Sequence, residues 1–202
     1  MVRRDTRRGR FARRDGKARR RGDGERLRFR PLRRRDFALL GSWLAAPHVF
    51  EWWREPSEME AIEARYGPCV DGADPTEVFV VEADAEPIGF VQRYRIDDDP
   101  DWRRSLAATS VDARGAAGID YLIGVEDLTG RGVGPQMIRQ FVDETFREQP
   151  DLSSIVVAVQ QGNRRSWRAL EKAGFARRWS GTLDSDDPSD DGPSHLYVRR
   201  RG

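Results

Sequence analysis

Apolar positions along this chain recur at two spacings, and the two alternate. Phe37, Leu40 and Trp43 follow Asp36 at helical spacing and predict a first helix with Asp36 as its cap. Met59, Ile62 and Tyr66 give one face to a second helix over residues 57–66. Strands are then predicted over 77–83 and 87–96, joined by a short turn at Asp84-Ala85-Glu86. Residues 97–118, opening on Asp97-Asp98-Asp99-Pro100, read as a polar loop before a strand that starts at Ile119. A helix over 135–147 carries Met137, Ile138, Phe141, Val142 and Phe146 on a broad apolar face, and a strand over 154–159 follows it. A shorter helix capped at Asn163 and stopped by Gly174, an acidic loop over 181–192 and a last strand over 195–198 complete an α/β order without internal repeats.

The richest segment is Gly118-Ile119-Asp120-Tyr121-Leu122-Ile123-Gly124-Val125 with Thr129-Gly130-Arg131-Gly132-Val133-Gly134-Pro135 behind it. It reads as strand, glycine-rich turn and helix start. Glycines let backbone N–H groups approach an anion without Cβ interference, and a helix beginning near Pro135 turns its positive end toward that anion. Taken alone, the run fits phosphate binding and a plain glycine turn equally well. A dinucleotide fold would need an acid about 20 residues on, at the end of the next strand; that strand ends in Gln160-Gln161 instead.

Farther on, the segment from Gly162 through Asn163 to Glu171-Lys172-Ala173-Gly174-Phe175 gives a polar cap, a helix and a glycine stop. Together with the glycine loop it resembles the acetyl-CoA-binding core of the GNAT superfamily of N-acetyltransferases. The likeness extends upstream through Leu27-Arg28-Phe29-Arg30-Pro31-Leu32 as a first strand and Glu86-Pro87-Ile88-Gly89-Phe90-Val91-Gln92 as a central one, covering residues 26–202. His48, Glu51-Trp52-Trp53, Pro87-Ile88-Gly89-Phe90 and Gly118-Ile119-Asp120 are similar to the aminoglycoside 6'-N-acetyltransferase branch, which neighbours siderophore-type lysine N-acyltransferases.

The resemblance implies a mixed central sheet with flanking helices, splayed between two central strands to admit acetyl-CoA. It implies Asp120 as the general base or as a carboxylate that orients the amine. Backbone N–H groups around Ile123 to Val125 would serve the thioester oxygen, Arg131, Gly132, Val133 and Gly134 the pyrophosphate, and Asn163 the pantetheine arm. Asn163 is equally well read as a helix cap alone. Three departures stand out: Thr129 and Pro135 at the glycine loop, Leu170 where the family usually has a tyrosine acid, and Ala158-Val159-Gln160-Gln161 where this branch tends to carry an acid.

Amine acetylation needs a neutral amine beside a thioester, and a carboxylate with an ordinary pKa near 4 is a weak base for it. Glu51, Asp97, Asp98, Asp99, Asp112 and Asp120 read either as acids lining a cleft for a polycation or, taken singly, as solvated surface carboxylates. Trp52 and Trp53 offer flat faces for a sugar ring or cation; one of the pair is expected in the core, and Trp52 is the one assigned to the substrate together with Glu51. His195 reads as structural and His48 as a structural or capping histidine or else a base, and two histidines with one cysteine make no zinc constellation, so no metal is expected.

Charge is distributed unevenly. Residues 1–28 hold thirteen Lys and Arg against four Asp and Glu, so the body is acidic although the whole chain is +2. The arm, residues 1–25, has one large apolar residue, Phe11, and is expected to be disordered. It reads either as an overlong terminus or as a weak contact for RNA or another polyanion. No apolar run suits a signal peptide or a membrane span, and the lone Cys69 fits a reducing compartment, so a cytoplasmic monomer or dimer acting on a small-molecule amine is expected. The alternatives are a siderophore-type lysine or peptide N-acyltransferase and, from another class, a non-catalytic CoA-binding or RNA-associated protein.

Overall fold

A computed structural model describes residues 26–185 and 191–202; the basic arm, with its expected disorder and polyanion contact, lies outside the described residues. The chain runs through Arg28–Pro31 (β1), Phe37–Leu44 (α1), Pro47–Trp53 (α2), Met59–Asp71 (α3), Glu77–Ala83 (β2) and Glu86–Arg95 (β3). It continues with Pro100–Ala107 (α4), Ala116–Ile123 (β4), Val133–Glu148 (α5), Ser154–Gln160 (β5), Arg164–Lys172 (α6), Ala176–Thr182 (β6) and Pro193–Arg200 (β7). Seven strands form one sheet in the order β1-β2-β3-β4-β5-β7-β6. Every neighbouring pair is antiparallel except β4 and β5, which the α5 crossover makes parallel.

Each face of the sheet has its own core. On one, Met137, Ile138, Phe141, Val142 and Phe146 of α5 and Leu170 of α6 pack on Ile119, Ile155, Val157 and Tyr197. On the other, Phe37, Leu40 and Trp43 of α1 and Ile62 and Tyr66 of α3 cover Val78, Val80, Phe90 and Leu122. Burying each such side chain contributes roughly 1.5–3 kcal/mol. Ile119 and Leu122 fall on opposite faces because strand side chains alternate, and Asp120 therefore shares the Leu122 side while Tyr121 shares the α5–α6 side.

The feature that matters for function is where the sheet comes apart. β4 and β5 pair only from Ala116↔Ser154 to Gly118↔Val156, although both strands run on. Past that point β4 stays with β3 as far as Gly89↔Ile123, and β5 stays with β7 as far as Gln160↔Ser194. Each strand keeps its outer partner, so opening the seam gives up only the last ladder bonds between them.

Several elements differ from their sequence-based expectation. The polar loop over 97–118 contains α4: Asp99 accepts the Trp102 N–H at 2.9 Å and Pro100 fills the first turn. Its buried positions are only Ser105 and Leu106, too few for a periodic signal. Asp36 stands at the start of α1 but makes no capping bond. Its carboxylate instead takes the Arg30 guanidinium at 2.7 and 2.9 Å, a bidentate charged pair, and the Arg33 N–H at 3.0 Å, which turns it back toward β1 and away from the amides of α1. In α3, Ile62 and Tyr66 are buried but Met59 is exposed, and the helix runs through Pro68 to a left-handed Gly72. α5 begins at Val133, ahead of Pro135.

Candidate active site

The parting of β4 from β5 leaves a wedge, and the β4 backbone decides what faces it. Gly124 N–H donates to the Ile88 carbonyl at 2.9 Å, and Ile123, Leu122 and Tyr121 stand opposite Gly89, Phe90 and Val91. Antiparallel alternation then turns the main-chain groups of Leu122 and Gly124 to β3 and those of Tyr121 and Ile123 to the wedge. His48 Nε2, from α2, lies 3.0 Å from the Ile123 carbonyl and so acts as its donor. That leaves the Ile123 N–H aimed at the opening. Val125 N–H points back at Ile88, 3.4 Å from the same carbonyl that Gly124 uses.

At the end of β4 the glycine loop closes over the wedge. Gly130 and Gly132 have φ of 73° and 87°, a region that favours glycine, and Gly132 precedes the first turn of α5. A Cβ on Gly134 would lie 3.6 Å from the Ile123 side chain and 3.7 Å from Ala169, so the loop sits beside both the β4 end and α6. The first-turn N–H groups of a helix have no intrahelical acceptor, and Val133 and Gly134 present theirs here, while Pro135 has none to give. Arg131 is exposed at the rim.

Asn163 caps α6, its Oδ1 accepting the Ser166 N–H at 3.1 Å, and it also lines the wedge. Ser166 Oγ in turn lies 2.8 Å from the Tyr121 hydroxyl. Leu170 is fully buried in the core behind them and brings no polar hydrogen.

The wedge opens into a cavity of about 630 Å³ on the Asp120 side. Asp120 accepts a hydrogen bond from Gln92 Nε2 at 2.9 Å, and Gln92 is buried. Tyr94 lies flat over Gly118, so closely that any Cβ there would collide with its ring. That glycine thus makes room for an aromatic wall beside Asp120. Both tryptophans line the cavity: Trp53 packs edge-on to Phe90 at 5.7 Å, and Trp52 reaches across to the Gly162 turn. The expectation that one of the two belongs to the core holds only for Trp53, and it serves both surfaces.

Of the acids expected at a cleft, the fold brings Asp98, Asp99 and Asp120 to the cavity and adds Glu55, Asp74, Asp101 and Asp184, against Arg65, Arg95 and Arg104. Glu51 is exposed and does not line it. Asp97 accepts the Gly115 N–H at 3.1 Å, and Asp112 pairs with Arg114, whose hydrogen bonds hold its carboxyl at about 2. Several cavity acids also have structural work. Glu55 accepts the Tyr66 hydroxyl at 2.6 Å and Asp99 starts α4. For Asp74, burial raises the carboxyl pKa, but the Thr76 hydrogen bonds outweigh it and hold it below the ordinary value. The surplus of carboxylates favours a cationic ligand.

Sequence reasoning missed Gln92, Tyr94 and Trp102. The available signal was polarity in the wrong place: Gln92 and Arg93 interrupt an otherwise apolar strand, and both are buried. Burial pushes the Cys69 thiol up, and Asp74 adds to it, which suits no nucleophile. Among the described residues no cluster of His, Cys, Asp and Glu could hold a metal ion, and no helix is long and apolar enough to cross a membrane.

The family model described as "Acetyltransferase (GNAT) domain" matches residues 33–183. The chain belongs to the GNAT acetyltransferase family. Within it, the chain is 29% identical over 171 residues to the aminoglycoside N(6')-acetyltransferase type 1 of Klebsiella pneumoniae, covering 82% of this chain and 79% of that one. Among solved structures it is similar to AAC(6')-Ib in complex with paromomycin and acetyl-CoA, with a TM-score of 0.74, 28% identity and coverage of 87% and 93%. AAC(6')-Ib with coenzyme A and kanamycin gives the same TM-score and identity, covering 87% and 95%. This GNAT enzyme is an acetyl-CoA-dependent N-acetyltransferase related to the aminoglycoside N(6')-acetyltransferases. Its mixed seven-stranded sheet with flanking helices is the GNAT fold.

Proposed function

We propose that the acceptor is a polycationic amino sugar, acetylated at the 6'-amine of an aminoglycoside, and that Asp120 receives that amine. The carrying observation is Asp120 at the mouth of the wedge within a cavity that holds seven carboxylates and three arginines. Acetyl-CoA supplies the activated acyl group. The glycine loop, Arg131 to Gly134, holds its pyrophosphate, and Asn163 faces the pantetheine arm. Ile123 N–H donates to the thioester oxygen, with Val125 completing the strand end. Trp52 stacks on the sugar, while Glu51, exposed outside the cavity, acts at most on the approach of a cationic ligand.

Asp120 draws the ammonium and, through the Gln92 bond, presents one oxygen in a fixed orientation. An ammonium has no lone pair to attack with, so the nucleophile is the fraction that has given one proton to water, and Asp120 takes the second proton once the new C–N bond has made the nitrogen acidic. One feature favours a second acceptor class, a lysine-derived siderophore or peptide amine: the cavity wall at the end of β5 carries Gln160 in place of an acid.

Thiol release from acetyl-CoA, measured against aminoglycosides with and without a 6'-amine, lysine hydroxamates and basic peptides, tests both. Turnover confined to 6'-amine sugars supports the first reading; turnover only on lysine or peptide amines replaces it with the second.

A further inference from the structure

Displacing an acyl group from a thioester leaves electrons on sulfur, and the wedge is a poor solvent for them. Its walls past Gly118 are Ile119 on one side and Val157 and Val159 on the other, with Leu170 buried behind. Beside the Asn163 and Gln160 side chains, the fold brings two hydroxyls to these walls. Tyr121 extends from β4 and Ser166 from the first turn of α6, and their oxygens lie 2.8 Å apart. Two hydroxyls carry two hydrogens, and their mutual bond consumes one. With Ser166 donating to Tyr121, the tyrosine O–H remains for a third atom.

We propose that Tyr121 is a further catalytic residue, the hydrogen-bond donor that holds the departing sulfur in the wedge, with Ser166 setting the direction of its hydroxyl. This rests on the acetyl-transfer reading of the site. The amine lone pair forms the C–N bond, the C–S bond breaks with its pair on sulfur, and the amine proton goes to Asp120 and then to water. Tyr121 keeps its own proton. Burial pushes its pKa well above the ordinary phenol value; Ser166 opposes that shift and Asp120, on the other face of β4, adds to it. A thiolate with an ordinary pKa near 8.5 does not deprotonate such a phenol, so the group stabilises charge without titrating.

The test is the thiol pKa of coenzyme A bound to the enzyme without acceptor, read from thiolate ultraviolet absorbance across pH, for the wild type, Tyr121→Phe and Ser166→Ala. A charged hydrogen bond of ordinary strength predicts that the bound thiol titrates about one to two units lower in the wild type than in Tyr121→Phe. Ser166→Ala keeps the donor but frees its direction, so its bound thiol titrates between the wild type and Tyr121→Phe. In turnover, Tyr121→Phe loses about 10- to 100-fold in kcat at unchanged KM for acetyl-CoA, and the loss shrinks with an aryl thioester donor whose thiolate needs less help. Equal thiol pKa values in the wild-type and Tyr121→Phe complexes overturn the proposal even if amines are acetylated. A bound wild-type thiol at or above about 8.5 overturns it without any variant. A lowered wild-type value that Tyr121→Phe restores upholds it, even if aminoglycosides prove not to be the acceptors and only that reading fails.

Discussion

Gln92 and Asp120 stand opposite each other on β3 and β4, and the amide of the first donates to the carboxylate of the second at 2.9 Å. Gln92 is buried, and its Oε1 has no partner among the described residues, so the side chain is held for the one bond it makes. A carboxylate that must both bind an ammonium and take its proton gains from such a fixed orientation.

Removing the carboxylate and removing its support should therefore separate. Asp120→Asn is expected to lower kcat by about 10²–10⁴-fold in steady-state acetylation assays. Gln92→Leu should lower kcat by about tenfold, with melting temperature and coenzyme A affinity near the wild type. A Gln92→Leu enzyme of full kcat would deny the positioning role.

Gly118 is a glycine because Tyr94 occupies the space over it. Gly118→Ala should cost about 1–3 kcal/mol through overpacking and displace the aromatic wall beside Asp120. Denaturant unfolding of Gly118→Ala, alone and combined with Tyr94→Ala, checks this: the second substitution should recover much of the loss.

The β2–β3 hairpin turns on Asp84 and Ala85, whose φ angles of 54° and 63° are both left-handed. Such a conformation costs an L-residue roughly 1–2 kcal/mol, which exceeds the extra chain entropy of glycine. Ala85→Gly should raise the melting temperature, corresponding to a gain of about 0.5–1 kcal/mol, without altering turnover.

His195 on β7 accepts from Arg177 near Nε2, 3.4 Å away, and lies 2.8 Å from the Ser180 hydroxyl through Nδ1. Burial lowers its pKa, Arg177 lowers it further, and Glu171 opposes them. The unfolded chain thus binds the proton first: this contribution is neutral above about pH 6.5 and turns destabilising as pH falls through 6.5 toward the folded value. His195→Gln should flatten that acid limb in melting temperatures measured between pH 7.5 and 5.

Local signals were legible in the chain because they reside in a few adjacent residues. The left-handed Gly132 before α5, the Asn163 cap of α6 and the turn at Asp84 and Ala85 between β2 and β3 each rest on short-range sterics or a neighbouring amide. α4 shows the limit of this: its Asp99-Pro100 start was visible, but a helix with so little apolar surface carries no period to read.

The sequence by itself determined the family resemblance, the glycine loop and the strand that carries Asp120, since backbone conformation and strand period are local properties. Tertiary structure alone decided which carboxylates meet: Asp98 and Asp99 joined the cavity, while Asp97, Asp112 and Glu51 stayed outside it. It also decided the Gln92–Asp120 bond across 28 positions and the Tyr121–Ser166 bond across 45. The reason is physical. The faces of a strand follow from a period of two, but the place where β4 leaves β5 depends on each keeping its outer partner, and that pairing is written nowhere near the residues it exposes.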